Sequence, residues 1–109
     1  MTQFDDRKNA YEKEFARNEE FDFKVTARRN KLLGLWAAGR MGLTGDDADA
    51  YAREVITADF EETGDEDVYR KVKGDLEGRD VDISEHQLRR EMEDQMAIAR
   101  EQMTAELKS

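Results

Sequence analysis

Apolar residues recur three and four positions apart in four successive stretches of this chain, each bounded by a cap residue or a glycine. That spacing follows the 3.6-residue turn of an α-helix, and the alternation that marks a strand is nearly absent. No proline occurs in the 109 residues, so nothing breaks a helix from within.

The first long helix is expected from about Glu19 to Arg40, with Phe21, Val25, Leu32, Trp36 and Gly39 in one stripe and Leu33 and Leu35 beside it. Gly39 and Gly42 should end it, since glycine tolerates the left-handed backbone past a C-cap. Thr44 opens a second helix, over 44–63, with its hydroxyl as cap and Asp46 and Asp47 in the positive first turn. Its inner face reads Ala48, Ala52, Val55, Ile56 and Phe60, and Gly64 closes it. A short third helix, over 65–77, starts at Asp65, turns Val68, Val72 and Leu76 inward and stops at Gly78. The fourth, over 84–107, has the clearest start: Ser84 with Gln87 forms a capping box, and Ile83 with Leu88 forms the hydrophobic staple. From Leu88 the face continues through Met92, Met96, Ala99 and Met103. Short connections favour antiparallel neighbours. The fold expected is all-α, a small four-helix bundle with a flexible N-terminal segment.

Composition narrows the function. The 27 acidic and 18 basic side chains give a net charge of −9, and 41% of residues are charged. Such a balance repels phosphate backbones, which argues against a nucleic-acid partner. No apolar run is long enough to span a bilayer, and the N-terminus lacks the pattern of a signal peptide, so the chain is expected not to insert in a membrane. With no cysteine and one histidine, thiolate metal sites, cysteine nucleophiles and Ser-His-Asp chemistry are poor fits. No metal, cofactor or catalytic group is expected, and the chain reads as a binding protein rather than an enzyme. Leu, Ile, Val and Phe together number only 20, close to the disorder range, but the caps and stripes argue for a folded core.

The excess charge is unevenly placed. Residues 1–31 carry 8 basic and 7 acidic groups, whereas 32–109 carry 10 and 20. Residues 1–24 lack Leu, Ile and Val yet hold five of the nine aromatics. On a helix, Phe4, Tyr11 and Phe15 lie within roughly 40° of one another, with charged groups on the other sides. An isolated helix of this length and composition is marginal in water. Residues 1–18 thus read either as an extension of the first helix, packed or frayed, or as an arm that becomes helical in a partner's groove. Ordering it costs on the order of 1 kcal/mol per residue. Three aromatics alone do not meet that, so the receptor site must be deep and must also pair the arm's charges.

Other features have simpler readings. The glycines of Gly39–Gly45 lack the Lys-Ser/Thr and the preceding strand of a phosphate loop and read as a helix–helix turn. Asp46-Asp47-Ala48-Asp49 and Asp65-Glu66-Asp67 do not fit a calcium loop and sit where helices begin. Asp59 falls on the apolar side of the second helix, where a carboxylate needs a partner; Arg28 or Arg29, beside the first helix's stripe, is positioned to supply it. His86 reads as a solvated surface residue. The methionines of the fourth helix read as core, with an adaptable partner-binding surface as the alternative. Nucleotide sensing through Arg28, Arg29 and Lys31 is a weaker alternative.

Several blocks carry a resemblance. They are Phe4-Asp5-Asp6-Arg7, the run Ala27-Arg28-Arg29-Asn30-Lys31-Leu32-Leu33-Gly34-Leu35-Trp36-Ala37-Ala38-Gly39, then Tyr51–Val55, Ala58–Glu62 and Val68–Leu76. The sequence resembles the ζ inhibitor subunit of the alphaproteobacterial F-type ATP synthase over nearly its whole length, with residues 78–109 similar in pattern more than in letters. The resemblance implies a four-helix bundle whose mobile N-terminal segment enters, as a helix, a catalytic interface between an alpha and a beta subunit near the rotor gamma subunit. It implies inhibition of ATP hydrolysis with synthesis spared, a role similar to that of the mitochondrial inhibitor protein's N-terminal helix. Carried over here, the segment runs from Thr2 to about Arg17. Phe4, Tyr11 and Phe15 are its anchors, Asp5 is a further contact position, and Arg7 or Lys8 forms salt bridges. The expected setting is cytoplasmic, with the chain monomeric when free and held peripherally at the inner face of the plasma membrane through the synthase.

Overall fold

The computed structural model describes the backbone of residues 3–59 and 65–108 and the side chains of residues 19–59 and 65–107. It is all-α, with four helices in the order α1 (Gln3–Arg40), α2 (Gly45–Ala58), α3 (Glu66–Gly78) and α4 (Glu85–Lys108). Helix α1 packs against all three others, most extensively against α2 and α4. The molecule measures 65 × 28 × 21 Å, and a 38-residue helix accounts for the long dimension at about 1.5 Å per residue.

Helix α1 therefore begins at Gln3, not near Glu19. Between Gln3 and Leu33 the chain has no glycine or proline and is rich in Ala, Glu, Lys and Arg, which lose little on entering a helix.

The buried side of α1 also differs from the expected stripe. Val25, Arg29, Asn30, Leu33, Ala37 and Ala38 are buried, Leu32, Leu35 and Trp36 are only half-buried, and Gly39 is exposed. The stripe is turned towards the small and polar residues because α2 approaches α1 closely there. A Cβ placed on Gly34 would lie 2.6 Å from the backbone Cα of Ala52 and 3.3 Å from a Val55 methyl. Any larger residue there has to push the two helices apart.

Helix ends follow local chemistry, with corrections. α1 runs through Gly39 and ends in a Schellman turn: the Leu43 N–H donates to the Ala38 carbonyl at 2.8 Å and that of Gly42 to Gly39 at 3.2 Å, with Gly42 at φ +81°. α3 ends at Gly78, as expected, in the same kind of turn, but its positive-φ residue is not a glycine: Val81 donates to Leu76, Asp80 donates to Glu77, and Asp80 itself adopts φ +61°. Aspartate is among the few side chains that visit this region, so no glycine was needed at the turn. Thr44 stands at the N-cap of α2 but its hydroxyl makes no cap bond. Tyr51, Ala52, Val55 and Ala58 form the buried face of α2, with Ala48 and Ile56 half-buried. Phe60 and Gly64 lie outside the described residues. The capping box of α4 is complete: the Gln87 N–H donates to Ser84 Oγ at 3.1 Å and the Ser84 N–H donates to Gln87 Oε1 at 3.0 Å. The staple pair, Ile83 and Leu88, is buried in the central cluster with Leu33, Val55, Val68, Val72, Leu76 and Met92.

Candidate partner-binding surface

The sequence places its binding residues on the first four turns of α1, and those turns are helical from Gln3. The side chains of Phe4, Asp5, Arg7, Lys8, Tyr11 and Phe15 lie outside the described residues. What the structure shows is how this segment is mounted. Among the described residues, the buried core of α1 starts at Val25. Ahead of it, Lys24 pairs with Glu20 one turn earlier at 3.5 Å, both side chains exposed. The end of α4 lies beside this point: Phe21 and Met103, with Glu20, Lys24, Glu106 and Leu107, line an open cleft of about 430 Å³.

Two arginines lock α1 in place. Arg28 donates to Gln102 Oε1 and to Glu106 Oε1, each at 2.7 Å, and so ties the C-terminal turns of α4 to α1. Arg29 is 1% exposed, and among the described residues it heads the fully buried side chains in size. Its Nε donates to Asn30 Oδ1 and its Nη2 to Asp65 Oδ1, both at 2.7 Å. Asp65, the N-cap of α3, makes no side-chain cap bond, because its carboxylate faces Arg29 instead. Asp59 sits half-buried at the C-cap of α2, and the partners of Arg28 and Arg29 are those just given, not Asp59. One residue past the helix, it escapes the burial that the sequence implied, and needs no cation. Both guanidiniums are engaged within the chain, which removes the basis for reading them as phosphate ligands.

The fourth-helix methionines divide: Met92 is core, while Met96 and Met103 are half-buried at its edges. A second polar cluster joins α2 to α3. The Tyr51 hydroxyl donates to Asp75 Oδ2 at 2.9 Å, Lys71 Nζ reaches the same oxygen at 3.1 Å, and the Lys71 ammonium lies 5.3 Å from the Tyr51 ring centre. Tyr51 is 5% exposed and was not among the residues expected inside, since its hydroxyl obscured an apolar body at the right spacing. Burial, and then the Asp75 carboxylate, push its phenol well above the ordinary value of 10.0. The folded state thus favours the protonated phenol. Its contribution to stability is full below about pH 10 and is lost as pH rises through the higher folded value. At about pH 10.5 the folded chain and Tyr51→Phe should give equal phenolate absorbance at 295 nm, because Tyr51 has not ionised there. A deficit of one tyrosine in the variant would contradict this.

Among the described residues, no group of three or more His, Cys, Asp or Glu side chains is placed to hold a metal ion. No described helix is long and apolar enough to cross a membrane.

Comparison with known proteins bears on this arrangement. A solved structure, described as a solution NMR structure, is similar to this chain at 54% identity and a TM-score of 0.69, over 77% of this chain and 95% of that one. No curated protein matches. Residues 1–102 match the family described as ATPase inhibitor subunit zeta, a span that takes in the N-terminal turns of α1 as well as the helices that mount them. With the all-α architecture, that match settles the affiliation: the chain belongs to the ATPase inhibitor subunit zeta family.

Proposed function

We propose that this inhibitor subunit acts on the catalytic head of the F-type ATP synthase by delivering residues 2 to about 17, as a helix, into an interface between an alpha and a beta subunit beside the rotor gamma subunit. Helices α2–α4 and the rest of α1 anchor it outside the head. The observation that carries this reading is the mounting of α1: its helix starts at Gln3, while its described buried core starts only at Val25. Fifteen helical residues reach roughly 22 Å, enough to enter a deep cleft. Phe4, Tyr11 and Phe15 on one side supply the apolar contact, with Asp5 and Arg7 or Lys8 supplying the paired charges. A helix lodged there blocks the closure that hydrolysis requires without occupying the nucleotide site, so inhibition is non-competitive with ATP. The role is regulatory and non-catalytic. The chain works as a monomer in the cytoplasm, held at the inner face of the plasma membrane only through the enzyme.

ATP hydrolysis by the native F-type enzyme, measured with the full chain and with a deletion of residues 2–16, tests this. The full chain should inhibit and the deletion should not, with the melting temperature of the deletion within about 4 °C of the full chain. Equal inhibition by the two would overturn the arm as effector. A collapse of stability would show that these turns belong to the core.

A further inference from the structure

We propose that the cleft at the base of the arm is a second docking point for the ATPase head, and that it takes one apolar side chain from the rim of the catalytic interface. This rests on the arm entering that interface. Helix α1 is continuous from Phe15 to Phe21, and six residues of helix advance about 9 Å. A receptor that encloses the arm to Phe15 therefore ends less than two helical turns from the cleft.

The chemistry of the cleft selects the occupant. Its rim charges are matched inside the chain, Lys24 with Glu20 at 3.5 Å and Glu106 with Arg28 at 2.7 Å. No net charge is left to attract an ion. The floor is apolar: Phe21 and Met103 are half-buried, and Leu107 is 64% exposed on the last turn of α4. A leucine so exposed at a concave site, ringed by paired charges, has the layout of an interface anchor with an apolar centre and polar rim. An aliphatic or aromatic side chain is the partner that such a floor covers. The cost of leaving Leu107 in water is recovered only in the complex.

Binding of labelled full-length chains to the native F-type enzyme tests the assignment. Leu107→Asp should weaken binding about tenfold, the effect of exposing one buried leucine. Ile98→Asp is the control: Ile98 is 41% exposed on the same helix, and nine residues place it about 180° around from Leu107. It should bind as the wild type does. Leu107→Asp binding at wild-type strength overturns the proposal, and so does equal weakening by both variants. The triple variant Phe4→Ala, Tyr11→Ala, Phe15→Ala separates the two readings. If it binds and inhibits normally, the arm reading fails, and the Leu107 result still judges the cleft. A chain that binds in no form overturns both. A photoreactive phenylalanine in place of Leu107 gives a readout that does not depend on affinity. It should crosslink to an alpha or beta subunit, and the same group in place of Ile98 should not; crosslinking from Ile98 alone contradicts the assignment.

Discussion

Gly34→Leu should unfold the bundle or lower its melting temperature by roughly 15 °C or more, the largest effect expected of any single substitution here. The obstacle is backbone. A Cβ at position 34 meets the Ala52 Cα at 2.6 Å, and a Cα cannot rotate away as a side chain can. The whole α1–α2 crossing must open, and the packing of Val55 and Ala37 opens with it. Gly34→Ala tests the same contact more gently. Overpacking costs about 1–3 kcal/mol, while alanine regains about 1 kcal/mol of helix propensity, so a net loss of about 1 kcal/mol is expected. Gly39→Ala is the internal contrast. It lies in the same helix with nothing within 4 Å of its would-be Cβ, so only the propensity gain remains and the variant should be stabilised. Thermal melts of the three decide the point: Gly34→Ala and Gly39→Ala moving in the same direction would show that the crossing is not fixed by the glycine.

Arg29→Ala should cost about 3 kcal/mol, and Arg29→Met distinctly less. Two effects compete at this residue. The ion pair with Asp65 is one, but the Asp65 side chain is 52% exposed, and a pair open to water on one side contributes about 1 kcal/mol at most. The other is volume. Arg29 is 1% exposed and among the largest side chains fully enclosed in the described core, and truncating such a group leaves a cavity worth about 2–4 kcal/mol. Packing therefore dominates. Methionine refills most of the space and removes the desolvated guanidinium, leaving Asp65 to return to water and Asn30 short of one donor. Urea titrations of both variants discriminate the two effects. If Arg29→Met is as damaging as Arg29→Ala, the charge rather than the volume holds this site together.

What could be read from the sequence was what is local. The Ser84–Gln87 box and the Ile83–Leu88 staple are contained within a few residues, so their letters specify their geometry. Val68, Val72 and Leu76 are apolar at helical spacing and lie inward as expected. The buried side of α1 departs from its apolar stripe for a physical reason. An apolar count gives weight to Leu32 and Trp36 and none to Gly34, Ala38, Asn30 or Arg29, yet small residues allow helices to approach and a long arginine stem fills space. The partner of Arg29 was equally hidden. Asp59 and Asp65 stand six positions apart, and only the packing of α3 against α1 decides which carboxylate meets the guanidinium. The cleft at Phe21, Met103 and Leu107 joins residues more than eighty positions apart in the chain, so no reading of either segment alone reveals it.

The division of charge along the molecule governs how it meets other bodies before any contact forms. Residues 32–109 hold 20 acidic groups against 10 basic, and they make up α2, α3, α4 and the end of α1. Of the first thirty-one residues, 19–31 lie alongside α4, and residues 3–18, with four acidic and four basic groups, form the other end of a 65 Å molecule. The chain is thus an elongated electric dipole. At physiological ionic strength its field decays over about 8 Å, far less than its length, so each end responds to its own surroundings and not to the distant average. A body of negative potential repels the bundle end and leaves the near-neutral end to approach. Collisions that begin with the wrong end are thereby shortened, and orientation is partly chosen during diffusion, a bias that fades as salt screens the repulsion.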